Sequence, residues 1–335
     1  MFFKAKSNTY TSNPLISVCI PVYNTEKYLE KCLYSVAEQD FKSFEIIIIN
    51  DFSNDHSSKI IKSFIKNCNN FRKIKGLEPV KIIYYENNKN LGLVETRRIG
   101  FNLSRGIYIT QLDSDDSLTQ HALKDLYNST CNNYYDIVQG TIICEKLLDN
   151  NVTILAEKKD CRNNAVFFNN LNGHEIFEGY YKKKYDCVLW GKLIKRELYE
   201  KAFSNIPFCF CTYGEDVFIF FFLSLFAKTY IGVNKVCYKY LINTGLSNFE
   251  LISDIKKWEQ ICTRATAVNI LQDFVNKNPV FFNSNEKNII PHLAYTWLQS
   301  TLYIYKNYVS NSIKKDADEV FYSFWGESIK SFVNE

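Results

Sequence analysis

An apolar run that ends in three aspartates is the feature that most constrains the fold of this 335-residue chain. Residues 107–112 (IYITQL) have the composition of a buried strand, and Asp113, Asp115 and Asp116 follow at once. A buried strand cannot hold three carboxylates, so they must lie where the strand leaves the sheet. Carboxylates this close repel one another unless a cation lies among them, and Mg2+ or Mn2+ prefers such oxygen ligands together with phosphate oxygens. The pattern therefore predicts a metal–diphosphate site. The alternative is an acidic loop that caps the next helix from Asp116 or Ser117.

The composition indicates a globular protein with a substantial core. Hydrophobic residues make up 46% and charged residues 23%, with few Gly and Pro. A net charge of +4 is too small and too evenly spread for a nucleic-acid footprint, so no nucleic-acid partner is expected. The charge is compatible with an anionic small substrate.

The cysteine pattern and the hydropathy of the sequence indicate the cellular compartment of the protein. The eleven cysteines are scattered without a CxxC pair, which predicts neither a zinc site nor a disulfide framework. Residues 1–13 lack the apolar core of a signal peptide. The richest apolar run, residues 217–227, is shorter than the roughly 18 to 20 residues of a membrane span. We expect a reduced, cytoplasmic protein in which residues 217–227 form a buried core helix.

Apolar runs typical of buried strands alternate with helical patterns along the first part of the chain. Strands are predicted at residues 15–20, 44–50, 80–85 and 107–112, with helices around 29–37, 60–65 and 93–103. This alternation predicts an α/β fold with a doubly wound, mostly parallel sheet flanked by helices. In such sheets ligands bind outside the carboxyl ends of the strands. Tyr23 with Asn24, Asp51, and residues 113–116 should therefore converge on one crevice.

The remainder of the chain is less regular. Strands are predicted at residues 136–144 and 152–155, and a loop at 163–172. From about residue 249 helical patterns follow, and the apolar residues that share a face are Trp258, Ile261, Cys262, Ala265 and Val268, and then Leu293, Trp297, Leu298 and Tyr305. We expect this C-terminal helical extension to pack on the rest of the chain. Homo-oligomer formation and peripheral contact with a membrane surface are the alternatives.

An ordered set of segments resembles the successive signatures of one enzyme family. The segments are ISVCIPVYN, IIIINDFSNDHS, NLGLVETRRIGF, ITQLDSDDSL, WGKLIKREL and YGEDVF. Over residues 16–247 the chain resembles glycosyltransferase family 2. That resemblance implies a GT-A fold, a sugar-nucleotide donor, a divalent ion (Mn2+ or Mg2+) and inversion at the anomeric carbon. It also implies a domain at residues 14–248, with a nucleotide-sugar half at 14–121, an acceptor half at 122–248, and a helical region at 249–335.

For the donor, the resemblance implies that Pro21, Val22, Tyr23 and Asn24 form one edge of the nucleotide pocket, with Tyr23 against the base. An ordinary surface aromatic is the alternative for Tyr23. Asp51 would accept a hydrogen bond from the ring N–H of the base, which favours UDP. Asn50 stands where the family usually has a second acid, and this departure weakens the case for uracil over other bases.

For the phosphates and the metal, the resemblance implies donor contact from Arg97, whose guanidinium suits phosphate. A solvated helix residue is the alternative. Arg98 stands where the family has asparagine. The resemblance assigns ribose and metal contacts to Asp113, metal ligation to Asp115 and a nucleotide-sugar contact to Ser114. For Asp116 three roles stay open: a metal ligand, a helix cap, or a support behind the ligands.

For the acceptor, the matching residues are Trp190 and Lys192. Trp190 either stacks on a sugar or packs in the core. The lysines at 182–184 form a solvated face or bind an anionic or lipid-diphosphate acceptor. Glu215 and Asp216 begin the apolar helix as a simple cap or as catalytic acids. The resemblance selects Asp216 as the general base, with Glu215 beside it.

Together these features predict an inverting, metal-dependent glycosyltransferase. It would move a sugar from a UDP-sugar to a hydroxyl of a growing surface glycan, such as a capsule or lipooligosaccharide, free or lipid-linked. The alternative is a non-catalytic nucleotide-sugar-binding or scaffold protein on the same fold. A nucleotidyltransferase would need a basic glycine-rich loop where this chain has VYNTEK, and a dehydrogenase would need GxGxxG after the first strand.

Overall fold

The structure is a computed structural model that describes residues 13–148, 153–155, 165–245 and 251–326. Parts of the segments that the sequence analysis considered, at residues 1–13, 152–155, 163–172 and 249–335, lie outside the described residues, as does the predicted boundary at 248–249.

The first part of the chain forms the parallel portion of the sheet. Its strands are β1 (Ile16–Val22), β2 (Phe44–Asn50), β3 (Lys81–Glu86) and β4 (Tyr108–Gln111). They pair in parallel in the order β3-β2-β1-β4. The connecting helices are α1 (Glu26–Ala37), α2 (Ser57–Ile74) and α3 (Leu93–Leu103). The predicted strands and helices of this part are confirmed.

The next part extends the same sheet with mixed pairing. Its elements are β5 (Ser117–Leu118), α4 (Ala122–Asn128), β6 (Ile137–Leu147), β7 (Thr153–Leu155), β8 (Asn170–Asn172), α5 (His174–Tyr181), β9 (Lys192–Lys195), α6 (Arg196–Asn205), α7 (Glu215–Phe226) and β10 (Thr229–Leu241). Beyond β4 the sheet continues through β9, β6, β10 and β5. Strand β9 is antiparallel to both neighbours, and β10 is parallel to β6.

Three local predictions differ from the structure. Residues 170–172, predicted as loop, form β8, which pairs with β10. Ser117 begins β5, and α4 starts only at Ala122 without a side-chain cap, so the predicted helix cap at Asp116 or Ser117 is wrong. Strand β10 was not predicted, because register shifts between Gly232 and Tyr238 interrupt the alternation of its side chains.

Helices cover both faces of the sheet. On one face α1, α2 and α4 pack with Ile46 and Ile48 of β2. On the other, α3, α6 and α7 pack with Ile47 and Ile49 of the same strand. Successive residues of a strand point to opposite faces, which explains why β2 is apolar at consecutive positions. The predicted doubly wound α/β class is therefore confirmed.

The C-terminal helices pack on the rest of the chain. They are α8 (Ile255–Cys262), α9 (Arg264–Lys277), α10 (Ile289–Tyr308) and α11 (Lys314–Trp325). Phe274 of α9 lies edge-on to Phe222 of α7, 4.9 Å between ring centroids, and α8 packs with α10 and α11 through Trp258. The apolar residues from Trp258 to Val268 were predicted to share one helix face, but they are divided between two hydrophobic cores. The reason is that the helix is interrupted at Thr263. No helix in the described ranges is long and apolar enough to span a membrane.

Candidate active site

A cleft of about 680 Å3 opens beyond the carboxyl ends of β1, β2 and β4. The predicted site residues that line it are Pro21, Val22, Tyr23, Asn24, Asp51, Asp113, Ser114, Asp115, Asp116, Trp190, Glu215 and Asp216. The structure thus brings together clusters that are far apart in sequence. Arg97 and Lys192 lie behind the cleft wall with fully buried side chains.

The loop after β1 is tied to its two neighbours. Asn24 adopts a left-handed backbone (φ 53°), and its Oδ1 accepts a hydrogen bond from the amide of Asn54 at 2.8 Å. Thr25 Oγ1 donates to Ser114 Oγ at 3.0 Å. Tyr23 is 37% exposed on this loop and lines the cleft.

Asp51 is a buried anchor at the end of β2. Its Oδ1 accepts from Asn87 Nδ2 at 2.6 Å and from the amide of Leu91 at 2.9 Å, and its Oδ2 accepts from the amide of Gly92 at 3.0 Å. These bonds hold the start of α3, a function that the motif alone did not indicate. A carboxylate oxygen has two lone pairs, so Oδ2 can accept one more donor from a ligand.

The aspartates after β4 have two different environments. Asp113 and Asp115 are partly exposed toward the cleft, and burial together with the charge of Asp113 raises the pKa of Asp115 to about 6. Asp116 is buried, and its oxygens accept from Tyr238 Oη at 2.8 Å and from the amide of Leu241 at 2.7 Å. Asp116 therefore holds β10 against the acidic loop, and Tyr238 is a site residue that the sequence analysis missed.

Two carboxylates remain to hold a divalent ion. Within the part of the chain that the structure describes, no group of three or more His, Cys, Asp or Glu forms a metal site. Mg2+ commonly takes only one or two carboxylates from the protein and completes its shell with substrate phosphates and water. Asp113 and Asp115 fit that requirement.

Arg97 connects the acidic loop to α7. Its Nη2 donates to Asp113 Oδ1 at 3.0 Å and to Glu215 Oε1 at 3.1 Å, and it lies 3.8 Å from Asp216 Oδ1. Burial alone would lower the pKa of Arg97, but these carboxylates raise it well above its ordinary value. Arg97 is not a solvated helix residue. Its guanidinium is bound to carboxylates and does not line the cleft, and the direct donor contact that the resemblance implies stays a prediction.

Glu215 and Asp216 are the first two residues of α7 and differ in exposure. The side chain of Glu215 is 9% exposed and that of Asp216 is 20% exposed. Burial raises the pKa of Glu215 well above its ordinary value, and the charge of Asp216 adds to the effect. Glu215 is thus the buried partner of Arg97, and Asp216 is the acid that is more open to the cleft.

The two residues predicted for the acceptor side are mostly enclosed. Trp190 is 3% exposed and stacks on Tyr238 and Tyr240, with ring centroids 4.8 and 5.5 Å away. Lys192 Nζ donates to the carbonyl of Val188 at 2.7 Å, and burial lowers the pKa of Lys192 to about 8. The side chain of Lys192 does not line the cleft, so a role on the acceptor side, as a support behind the residues that line it, stays a prediction.

The other basic residues that the sequence analysis considered lie away from the cleft. Arg98 pairs with Glu95 at 2.9 Å and donates to the carbonyls of Phe203 and Ile206. The lysines at 182–184 are exposed and do not line the cleft, which agrees with the solvated-face interpretation.

The C-terminal helices supply a wall of the cleft that no motif predicted. Its residues are Asp254, Lys256, Lys257, Gln260, Arg264 and Trp297. Thr263 Oγ1 accepts from the amide of Thr212 at 3.1 Å, and the guanidinium of Arg264 lies 5.0 Å from the ring centroid of Tyr213. These contacts hold the loop that leads into Glu215. The only sequence signal was the apolar face of each helix.

Comparisons with known proteins identify what this chain is similar to. The family model described as "Glycosyl transferase family 2" matches residues 17–203. Glycosyltransferase GlyA of Streptococcus pneumoniae is 30% identical over 69% of this chain and 31% of its own length. Glycosyltransferase GlyG of the same organism is 28% identical over 57% of this chain and 60% of its own length. The chain therefore spans less than two thirds of these relatives.

A solved structure of S. aureus TarS 1-349 in complex with UDP-GlcNAc has the same fold. It superposes with a TM-score of 0.52 at 18% identity, over 95% of this chain and 91% of that one. At this identity the likeness concerns the fold alone, and it confirms the predicted GT-A type.

Proposed function

This chain belongs to glycosyl transferase family 2, and on that premise we propose that it transfers a sugar from a nucleotide-sugar donor to a hydroxyl group with inversion at the anomeric carbon. One observation carries the proposal. Asp113 after β4 and Asp216 on α7 lie on the same cleft, and both are within 4.0 Å of the buried Arg97 Nη2. The site that we propose for the leaving diphosphate thus shares one cleft with the carboxylate that we propose as the base.

We propose a UDP-sugar as the donor. Tyr23 would lie against the base, and Asp51 Oδ2, which has one protein donor at 3.0 Å, would accept the ring N–H of uracil. Pro21, Val22 and Asn24 line the same edge, and Ser114 lines the cleft beside Asp113. The UDP-GlcNAc bound in the TarS structure supports a uridine nucleotide on this fold.

The metal would be Mn2+ or Mg2+, held by Asp113 and Asp115. Asp116 is committed to Tyr238 and Leu241, so it supports the loop rather than the ion. When bound, a divalent ion offsets the charge of a leaving diphosphate. Without the ion, the carboxylates of Asp113 and Asp115 would repel the diphosphate of the donor. A cation is therefore part of the proposed site.

Asp216 is the proposed general base. Inversion by direct displacement needs a group on the face opposite the leaving diphosphate to accept the proton of the acceptor hydroxyl. Asp216 is the more exposed of the two acids at the start of α7. Arg97 orients this pair through Glu215, so Glu215 and Arg97 act as positioning residues.

The acceptor would be a hydroxyl of a growing surface glycan, such as a capsule or lipooligosaccharide, either free or lipid-linked. Trp190 is among the residues that line the cleft and would contact this acceptor. We propose that the reaction takes place on the cytoplasmic side of a membrane. Peripheral contact of the chain with that membrane and the formation of a homo-oligomer are further proposals.

A screen of nucleotide sugars tests the function directly. We expect slow, Mn2+- or Mg2+-dependent hydrolysis of at least one UDP-sugar in the absence of an acceptor, and stimulation by a suitable glycan. If the chain binds a nucleotide sugar without turning it over under any metal condition, the non-catalytic binding protein replaces the enzyme. If it binds none, the donor assignment fails.

A further inference from the structure

Arg264 is a buried guanidinium in the wall of the cleft. Only 4% of the residue is exposed, yet it lines the open space. Its Nε and Nη2 donate to Thr301 Oγ1 at 2.9 and 2.6 Å. The guanidinium carbon lies 5.0 Å from the ring centroid of Tyr213 and 5.9 Å from that of Trp297. The aromatic rings and the hydroxyl fix its orientation.

No carboxylate compensates this buried charge among the residues that the structure describes, since no acid lies within 4.0 Å of Arg264. Burial lowers the pKa of Arg264 to about 10. Arginine has five N–H groups, and Thr301 receives only two of them. Nη1 has no partner in the described ranges, and it is not enclosed by protein atoms. An orphaned, oriented guanidinium that faces a cleft indicates an anionic ligand.

The position of Arg264 assigns that anion to the acceptor end. Arg264 covers Tyr213, which comes three residues before Asp216, and Trp297 lies against Gly214, where a Cβ would come within 3.0 Å of the indole. The residues proposed for the donor come instead from β1, β2 and β4. An anion at Arg264 therefore lies beside the proposed base.

We propose that Arg264 is the centre of a phosphate-binding subsite, and that the acceptor carries a phosphate ester near the hydroxyl that receives the sugar. Lys256 and Lys257 line the same wall, and one acid, Asp254, accompanies them with its carboxylate on the amide of Lys256 at 2.9 Å. Arg264, with Lys256 on the same wall, suits the oxygens and the charge of a phosphate, because a guanidinium binds phosphate oxygens with fixed geometry. This inference rests on the proposed function, because it names the acceptor of the same site.

Binding of inorganic phosphate to the chain saturated with UDP and Mg2+, measured by calorimetry, tests the subsite. The key variant is Gln260→Glu, which places a carboxylate four residues before Arg264 on the same cleft wall. Gln260 is half-buried, so the fold should tolerate the change. We expect saturable binding by the parent and at least a tenfold loss in Gln260→Glu, with Gln260→Ala within about twofold of the parent. Equal phosphate affinity in parent and Gln260→Glu would overturn the proposal.

Variants of Arg264 separate ligand binding from support of the loop. Arg264→Gln should lose phosphate binding, and Arg264→Lys should keep part of it because the charge remains. Thr301→Val removes the hydroxyl partner and keeps the guanidinium, so it should retain phosphate binding. If Arg264 only supports the loop, Arg264→Gln slows UDP-sugar hydrolysis but leaves phosphate binding unchanged, and the subsite is refuted. Loss of UDP binding by the parent would refute the proposed function instead.

Two ligands distinguish a phosphate that belongs to a soluble acceptor from one that belongs to a lipid. Glycerol 1-phosphate stands for a phosphate within a soluble or polymeric acceptor, and phosphatidylcholine vesicles that contain phosphatidic acid stand for a lipid phosphate. Binding of either one that depends on Arg264 supports the subsite and identifies the source. If neither binds in an Arg264-dependent manner, the phosphate-ester assignment is wrong.

Discussion

Arg97 Nη2 lies 3.1 Å from Glu215 Oε1 and joins α3 to α7 across 118 residues of sequence. The same nitrogen donates to Asp113 Oδ1 at 3.0 Å. One fully buried cation therefore holds the acidic loop beside the helix that carries the proposed base. The relative position of the acidic loop and α7 depends on this side chain, because Asp113 and Glu215 are bound to the same nitrogen atom.

Removing the charge of Arg97 should destabilise the fold as well as the site. Arg97→Met leaves Asp113 and Glu215 without their cation, so we expect the free energy of unfolding to fall by about 3–5 kcal/mol. Urea denaturation measures this change. Arg105→Met, at an exposed position a few residues along the chain, is the matched control and should change stability by less than about 0.5 kcal/mol. Equal stability of the two variants would contradict the bridging role.

Asp216→Asn should lower kcat by about a hundredfold and leave the affinity for UDP nearly unchanged, because it removes the base and keeps the size of the side chain. Glu215→Gln retains an oxygen that can accept from Arg97, so its loss of kcat should be smaller. Steady-state kinetics and UDP titration separate the two effects. If Glu215→Gln is the inactive variant and Asp216→Asn works at the parent rate, the roles are reversed.

UDP should bind weakly without a divalent ion, because Asp113 and Asp115 repel the diphosphate. Asp115→Ala should abolish the metal-dependent part of the affinity, as calorimetry in Mn2+ and in EDTA would reveal. Asp116→Asn is the control. It should keep the metal dependence and lose about 1–3 kcal/mol of stability, because it disturbs the buried bonds to Tyr238 and Leu241. Equal UDP affinity of the parent in EDTA and in Mn2+ argues against the metal site.

Lys192→Met should stabilise the protein at neutral pH. The pKa of Lys192 is about 8 in the folded state, below the value of about 10.4 for an ordinary lysine. The unfolded chain binds more protons between these values, so the parent gains stability as pH rises through this window. Below about pH 8 the cost of the buried charge is fully present, and methionine should remove it for a gain of about 1–3 kcal/mol.

That gain should shrink toward zero near pH 10. Urea denaturation of the parent, Lys192→Met and Lys66→Met at both pH values measures it, with the exposed Lys66 as the control. A gain that does not depend on pH would mean that folding leaves the pKa of Lys192 at its ordinary value, and it would contradict the prediction.

Gly214→Ala and Gly76→Ala form a matched pair. Both glycines adopt left-handed backbones (φ 84° and 70°), but only at Gly214 would a Cβ meet Trp297, at 3.0 Å, while nothing lies within 4 Å of Gly76. Each variant should lose about 1–2 kcal/mol from the backbone strain. Gly214→Ala should lose more, and it alone should lower kcat, because the loop before Asp216 must shift. Equal effects on kcat would show that Trp297 does not set this loop.

Local patterns were sufficient for the first part of the fold. The run FEIIIIN and the helical spacing of residues 93–103 depend only on neighbours along the chain, so β2 and α3 agree with their predicted bounds. The carboxyl ends of parallel strands meet at one edge of a sheet, and for that reason the convergence of Tyr23, Asp51 and the acidic loop also followed from the strand order.

What the sequence by itself determined, then, is the α/β class, the cleft at the strand ends and the residue types that line its donor edge. Only the tertiary structure decided which of these side chains face the cleft. Asp116 accepts a hydrogen bond from Tyr238, 122 residues away. Arg97 is paired with acids from the loop after β4 and from α7, and Arg264 lines the cleft from a helix without a motif. Burial and charge pairing depend on contacts between residues that are distant in sequence, and no local pattern contains that information.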